Sequence, residues 1–252
     1  MSDSISFDRI AERYDETRGG LAVGRSFADA VAARATPPPA RIVELGVGTG
    51  LVALPLTERG YDVLGADLSP KMIGRARERI GARVAIADAT RAPFASGSCD
   101  AVVVARVLHV VGDPAAALGE AARLARPGGR VVVILAGSDQ ERAGDDIAAA
   151  MGDLRRPRQR GLDDETVLAL ADSTRALDLV EQGLTDPLDY DETPREHAEK
   201  IRARTWSGSW DTDEETWARD IAPVVDRLLA LPDPDRPRRR RRAQQLFVFA
   251  RR

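Results

Sequence analysis

Short runs of branched apolar residues recur through the first half of the chain at 41–45, 61–66, 82–87, 100–105 and 130–136. Stretches with apolar residues at helical spacing separate them. The runs predict buried strands and the stretches between them amphipathic helices. Helices are expected over 21–35, 51–59 and 70–80, and from Asp113, where Pro114 takes the first helical position. This repeated strand–helix–strand alternation predicts an α/β domain with a parallel sheet. Ahead of it, Phe7, Ile10, Ala11 and Tyr14 mark an amphipathic helix over 6–18. Behind it the pattern is less regular. It predicts a short helix near 147–154, a helix over 163–177, a strand over 179–184, a loop over 187–193 and a helix over 196–206. Thr212 and Glu215 read as a capping box that opens a further helix, kinked at Pro223. The residues 245–250 alternate as a closing strand.

The stretch from Arg41 to Gly50 reads Arg-Ile-Val-Glu-Leu-Gly-Val-Gly-Thr-Gly. A buried strand there runs into a tight turn, and the turn delivers free amide N–H groups at a helix start. A dinucleotide fingerprint would need its third glycine where Leu51 stands. The acidic Glu44 before the turn would repel a phosphate and suits a ligand that carries positive charge. Asp67 ends the next strand, where a carboxylate can accept both hydroxyls of a ribose or, more simply, cap the helix that starts at Pro70. Asp88-Ala89 follows the third strand, and Arg106 and His109 follow the fourth.

These motifs, in this order, resemble the class I S-adenosylmethionine-dependent methyltransferases, of the small-molecule, type 11 kind. The resemblance implies a Rossmann-like, doubly wound, seven-stranded, mostly parallel sheet with an antiparallel edge hairpin and a helical cap. It divides the chain into lid helices (1–36), a cofactor-binding core (37–190), a cap insert (191–243) and a final strand (244–252). S-adenosylmethionine is the implied cofactor. Glu44, Gly46, Gly48, Gly50 and Arg106 fall among its contacts, with Asp67 on the ribose, Leu68 and Met72 flanking the adenine, and Asp88 and Ala89 at the adenine edge. Tyr14 and Arg18 match lid residues that reach the methionine carboxylate. His109 is the candidate general base, its alternative being a packing role beside the cofactor. The implied reaction is in-line displacement of the methyl group by a small-molecule acceptor.

Composition narrows the alternatives. The net charge of −3 gives no overall attraction to nucleic acid. The run Arg238–Arg242 could hold RNA, which keeps an RNA methyltransferase as the second reading, but it is expected to be a solvated loop. A non-catalytic S-adenosylmethionine-binding regulator is the third. No catalytic Tyr-Lys or His-Asp arrangement supports an NAD-dependent oxidoreductase, and no ligand spacing predicts a metal. The single cysteine, Cys99, excludes an internal disulfide. With no apolar run long enough to span a bilayer and no leader pattern, a cytoplasmic protein is expected. Trp206, Trp210 and Trp217 all fall in the cap insert, where they either form its core or line an acceptor pocket.

Overall fold

The computed structural model describes residues 4–135, 138–140, 145–155, 162–205, 209–210 and 212–252. The chain forms two compact units: residues 1–136, 162–186 and 245–252 make the first, and residues 137–161 and 187–244 the second.

The first unit is built on a seven-stranded sheet. Its strands are β1 (Arg41–Leu45), β2 (Asp62–Asp67), β3 (Val84–Ile86), β4 (Cys99–Ala105), β5 (Ala125–Ile134), β7 (Leu177–Leu184) and β10 (Gln245–Arg251). They lie in the order β3-β2-β1-β4-β5-β10-β7. β10 runs antiparallel to both its neighbours, and the strands from β3 to β5 are parallel. The expected α/β class and antiparallel edge are therefore present. Ile42, Val43, Leu45, Val102, Val103, Val104 and Val131–Val133 have no exposed surface, as strands covered on both faces require. Chain order reverses between β1 and β4, so a crevice opens there at the strands' carboxyl ends.

The helices α2 (Gly20–Ala32), α3 (Ala53–Glu58), α4 (Pro70–Ile80), α5 (Pro114–Leu124) and α7 (Asp164–Ser173) flank this sheet. Local chemistry starts two of them where the sequence predicts: Ser69 caps α4 and Asp113 caps α5, each with proline in the first turn. The N-terminal segment departs from expectation. In place of one helix over 6–18 there is a 3-10 turn, Asp8–Ile10, and a single helical turn α1 (Tyr14–Thr17). Arg75 of α4 takes the carbonyls of Ala11 and Glu12 at 2.8 and 2.7 Å. A continuous helix would need those acceptors for its own N–H groups.

The second unit holds α6 (Asp146–Met151), α8 (Pro194–Arg202), α9 (Glu214–Thr216) and α10 (Ala222–Leu229), with β6 (Ser138–Gln140), β8 (Leu188–Glu192) and β9 (Arg238–Ala243) in the order β6-β9-β8. Ile147, Met151, Ile201, Val224 and Leu228 share its core, with Trp217 packed against them. Trp210 donates its indole N–H to the Arg204 carbonyl at 2.7 Å, and Trp206 lies outside the described residues. A π turn, Trp217–Ile221, precedes Pro223, where the kink is expected. The cap of α9 is Asp213 rather than Thr212: its carboxylate accepts the Thr216 N–H at 2.7 Å. The segment 137–161 belongs to this unit through the β6–β9 pairing, a contact between distant segments that no local pattern reports.

The arginine run is a strand and not a solvated loop, and the expected loop 187–193 contains its partner β8. Arg238 pairs with Asp146 at 2.9 Å, Arg241 with Asp189 at 2.8 Å and Arg239 with Asp191 at 3.5 Å. Arg240 is only 2% exposed and meets Glu192 at 2.6 Å and Asp145 at 3.3 Å. Carboxylates of β8 and of the start of α6 pair with Arg238 to Arg241, and Arg242 lies over Tyr190, which lets five consecutive cations occupy a strand.

Candidate functional site

Within the first unit a cleft lies at the carboxyl ends of β1, β2 and β4. The turn after β1 forms its floor. The N–H groups of Gly46 and Val47 both bond to the Ala66 carbonyl, at 2.7 and 2.9 Å, which ties the turn to β2. Gly46 has φ 72°, and a Cβ there would stand 2.2 Å from Cγ2 of Val107. Only glycine fits that backbone and that contact. α2 crosses the next residues just as closely: a Cβ on Gly24 would meet the Leu51 carbonyl oxygen at 2.1 Å.

Asp67 receives the Gly48 N–H on Oδ2 and the Ser69 N–H on Oδ1, both at 2.9 Å. Burial raises its pKa, and these two N–H groups pull the other way. Ser69 and not Asp67 caps α4; the Asp67 carboxylate instead ties the Gly48 turn to the start of that segment, and each of its oxygens keeps a second lone pair open to a ligand. Leu68 and Met72 line the wall beside it, Met72 almost wholly buried. At the opposite end Asp88 accepts the Thr90 N–H and hydroxyl on Oδ1, each at 2.9 Å, and Ala89 lines the cleft next to it.

Glu44 is 2% exposed and its Oε2 has no hydrogen-bond partner. Burial pushes its carboxyl well above its ordinary range, and the charge of Asp67 adds to this; the Ala53 N–H and Arg106 act against it. An orphaned buried carboxyl oxygen is a costly feature that a cationic ligand group would relieve. Together with the glycine cradle and the Asp67 carboxylate, it fits a ligand with an ammonium, a sulfonium and a ribose.

The cleft brings together Tyr14, Gly46, Gly48, Asp67, Leu68, Met72, Asp88, Ala89 and Arg106 of the expected set. Glu44 and Gly50 are buried beside it without lining it. Arg18 stacks on the Tyr14 ring, 5.6 Å from its centroid, and does not line the cleft. Neither does the half-exposed His109, although its neighbours Val110 and Val111 do.

Sequence reasoning missed how the N-terminal strap is fastened. Ser4 donates its hydroxyl to Asp88 at 2.9 Å and accepts the Gly112 N–H at 3.1 Å, while the Ile5 N–H bonds to the Val110 carbonyl at 2.9 Å. Asp8 accepts the Ser69 hydroxyl and the Lys71 N–H. Asp15 accepts the Thr49 hydroxyl at 2.6 Å and pairs with Arg79. Burial opposes the charge of Asp15, but the Arg79 and Thr49 hydrogen bonds outweigh it and hold the carboxyl below its ordinary range. Phe7 and Tyr14, edge to face at 5.9 Å, cover the cleft between these fastenings. The partners are 34 to 108 residues apart, so no local motif announces them.

Residues 43–133 match the methyltransferase domain family. Among curated relatives, the demethylmenaquinone methyltransferase of Beutenbergia cavernae is 40% identical over 134 residues, which cover 50% of this chain and 55% of that protein. The protein of the same name from Thermus thermophilus is 40% identical over 138 residues, 51% of this chain and 63% of that one. The chain therefore spans little more than half the length of these relatives. Among solved structures, phosphoethanolamine N-methyltransferase 2 of Haemonchus contortus, in complex with S-adenosylhomocysteine, superposes with TM-score 0.56 at 20% identity, covering 97% of this chain and 57% of that one. The [4+2]-cyclase SpnF superposes with TM-score 0.59 at 17% identity, covering 97% and 93%. At such identities the likeness establishes the fold.

Sheet order, glycine turn and matched segment define a Rossmann-like α/β fold similar to that of the class I S-adenosylmethionine-dependent methyltransferases, and residues 43–133 are similar to their methyltransferase domain.

Proposed function

We propose that the protein transfers the methyl group of S-adenosylmethionine to a small-molecule acceptor by in-line displacement. The observation that carries this is the cleft itself, where the glycine turn, Asp67 and Asp88 surround one space beside the orphaned oxygen of Glu44. In this reading Asp67 accepts the ribose hydroxyls, Leu68 and Met72 flank the adenine, Asp88 takes its exocyclic amine and the Ala89 N–H its ring nitrogen. Glu44 faces the positive charge, Gly46, Gly48 and Gly50 allow close approach, and Tyr14 and Arg18 belong to the strap over the amino-acid end. When bound, the cofactor supplies a methyl group already made electrophilic by its sulfonium. The protein's residues then align the acceptor and exclude water. His109 serves packing here, because it stands off the cleft lining.

The name shared by the relatives supports a demethylated quinol as the acceptor class, and the pairing of the arginine run speaks against RNA. Among the described residues no helix is long and apolar enough to cross a membrane. We place the reaction in the cytoplasm, where the buried thiol of Cys99 stays reduced.

The test is methyl transfer from labelled S-adenosylmethionine to demethylmenaquinol and a panel of simple phenols, with RNA as comparison. Transfer to a small molecule and none to RNA is expected. Asp67→Ala should weaken S-adenosylhomocysteine binding about ten- to hundredfold by calorimetry, the loss expected for charge-assisted hydrogen bonds. Tight cofactor binding with no transfer to any acceptor would favour the non-catalytic reading. Tight NAD binding would sink both.

A further inference from the structure

Arg106 sits just past β4 with φ 57°, a left-handed backbone that an arginine adopts only under constraint. Its N–H is held by the Ile134 carbonyl at 2.7 Å, which secures that conformation between the ends of β4 and β5. Arg106 is the one cationic residue among those that line the cleft. Its guanidinium lies over the Phe27 ring at 5.3 Å from the centroid, and among the described residues it makes no ion pair. Stacking on a ring face leaves the planar fork of N–H donors open at its edges. The arginines that fasten the N-terminal strap are engaged elsewhere: Arg79 with Asp15, and Arg75 with the Ala11 and Glu12 carbonyls.

A half-buried guanidinium without a counter-charge is expensive to keep unless a ligand completes it. Glu44 presents the complementary demand, with a buried oxygen that lacks a donor. The two are too far apart to form an ion pair, yet each lies within the other's field. An α-amino acid end, with its ammonium and carboxylate on one carbon, would satisfy both. Arg18, to which the family resemblance assigns the carboxylate, spends its guanidinium on the outer stack with Tyr14 and stays off the lining.

We propose that Arg106 is the anion-binding group of the cleft and takes a carboxylate, that of the amino-acid end of the cofactor, in place of Arg18. This rests on the S-adenosylmethionine reading above. An oxyanion on the acceptor is a second source of the same chemistry, and the experiment separates the two.

Calorimetry would compare S-adenosylhomocysteine with 5′-methylthioadenosine, which keeps the nucleoside and lacks the amino acid, on the parent protein and on R106Q, R106K and R18Q. R106Q should weaken S-adenosylhomocysteine binding about ten- to hundredfold while methylthioadenosine stays within about twofold. R106K should recover part of the loss, a point charge replacing the fork, and R18Q should cost far less than R106Q. If R106Q spares both nucleosides, the protein saturated with S-adenosylhomocysteine is titrated with benzoate. Benzoate binding lost in R106Q assigns the anion to the acceptor; binding that is absent or unchanged overturns the proposal. Equal loss of both nucleosides in R106Q would also overturn it, since the effect would then not depend on a carboxylate. A parent protein that binds neither nucleoside refutes the cofactor reading itself.

Discussion

Gly46 shows how a single missing Cβ sets the floor of the cleft. Gly46→Ala meets two penalties at once, the left-handed backbone and a Cβ 2.2 Å from Val107 Cγ2. Together these should cost about 2–4 kcal/mol of stability. The double variant G46A/V107A should recover the steric part and leave the backbone part, measurable by denaturant unfolding. Glu44 gives a pH signature. Its folded pKa is raised, so its favourable contribution is complete below the ordinary value of 4.5 and is lost as pH rises toward the folded value. Glu44→Gln should therefore raise the melting temperature of the ligand-free protein at neutral pH and flatten its decline above about pH 5. The same change should weaken S-adenosylhomocysteine binding. A neutral-pH melting temperature that falls with Glu44→Gln would mean the carboxylate has a partner after all.

Two elements carry charge in ways that residue types alone do not disclose. β9 uses its arginines as cross-strand partners, and Arg240 is the buried one. Arg240→Ala removes the buried cation that Glu192 and Asp145 share and should destabilise the second unit by about 3–5 kcal/mol, whereas the half-exposed Arg239 should cost at most about 1 kcal/mol. Burial opposes the charge of Glu192, but the hydrogen bond and charge of His197 and the ion pair with Lys200 outweigh it, so its pKa is well below the ordinary 4.5. The sign is the reverse of Glu44: this stabilisation is present above pH 4.5 and fades as pH falls below it. Acid unfolding followed by tryptophan fluorescence should show the fade in the parent and lose it in Glu192→Gln. The N-terminal strap is the other element. Asp15→Asn removes its ion pair with Arg79, and hydrogen exchange in residues 4–18 should rise while the strands keep their protection.

For the whole molecule, a ligand that binds only the folded state stabilises by mass action. S-adenosylhomocysteine at a hundred times its Kd should add about 2.7 kcal/mol to the unit that contains the cleft. With two compact units, that should appear as an upward shift of one thermal transition while the transition of the second unit stays in place. The net charge of −3 and the pairing of the β9 arginines predict no salt-dependent retention on RNA between 50 and 200 mM salt, a range of about a thousandfold for a true polyphosphate binder.

How much of this was legible beforehand follows from the range of each interaction. β1, the glycine turn, the Pro70 and Pro114 helix starts and the strand-end positions of Asp67 and Asp88 all depend on neighbours within a few residues or on the burial period of a strand. The sequence by itself therefore determined them, and with them the class of fold. Only the tertiary structure decided the rest. The helix over 6–18 breaks because Arg75, more than sixty residues on, claims its carbonyls. Five arginines form a strand because β8 and the start of α6 bring carboxylates and Tyr190 alongside, although both stretches read as loops. Arg106, on a left-handed backbone just past β4, is among the residues lining the cleft, while Arg18 and His109 are not. Charged side chains take their meaning from partners at long sequence separation, and a local pattern contains no record of them.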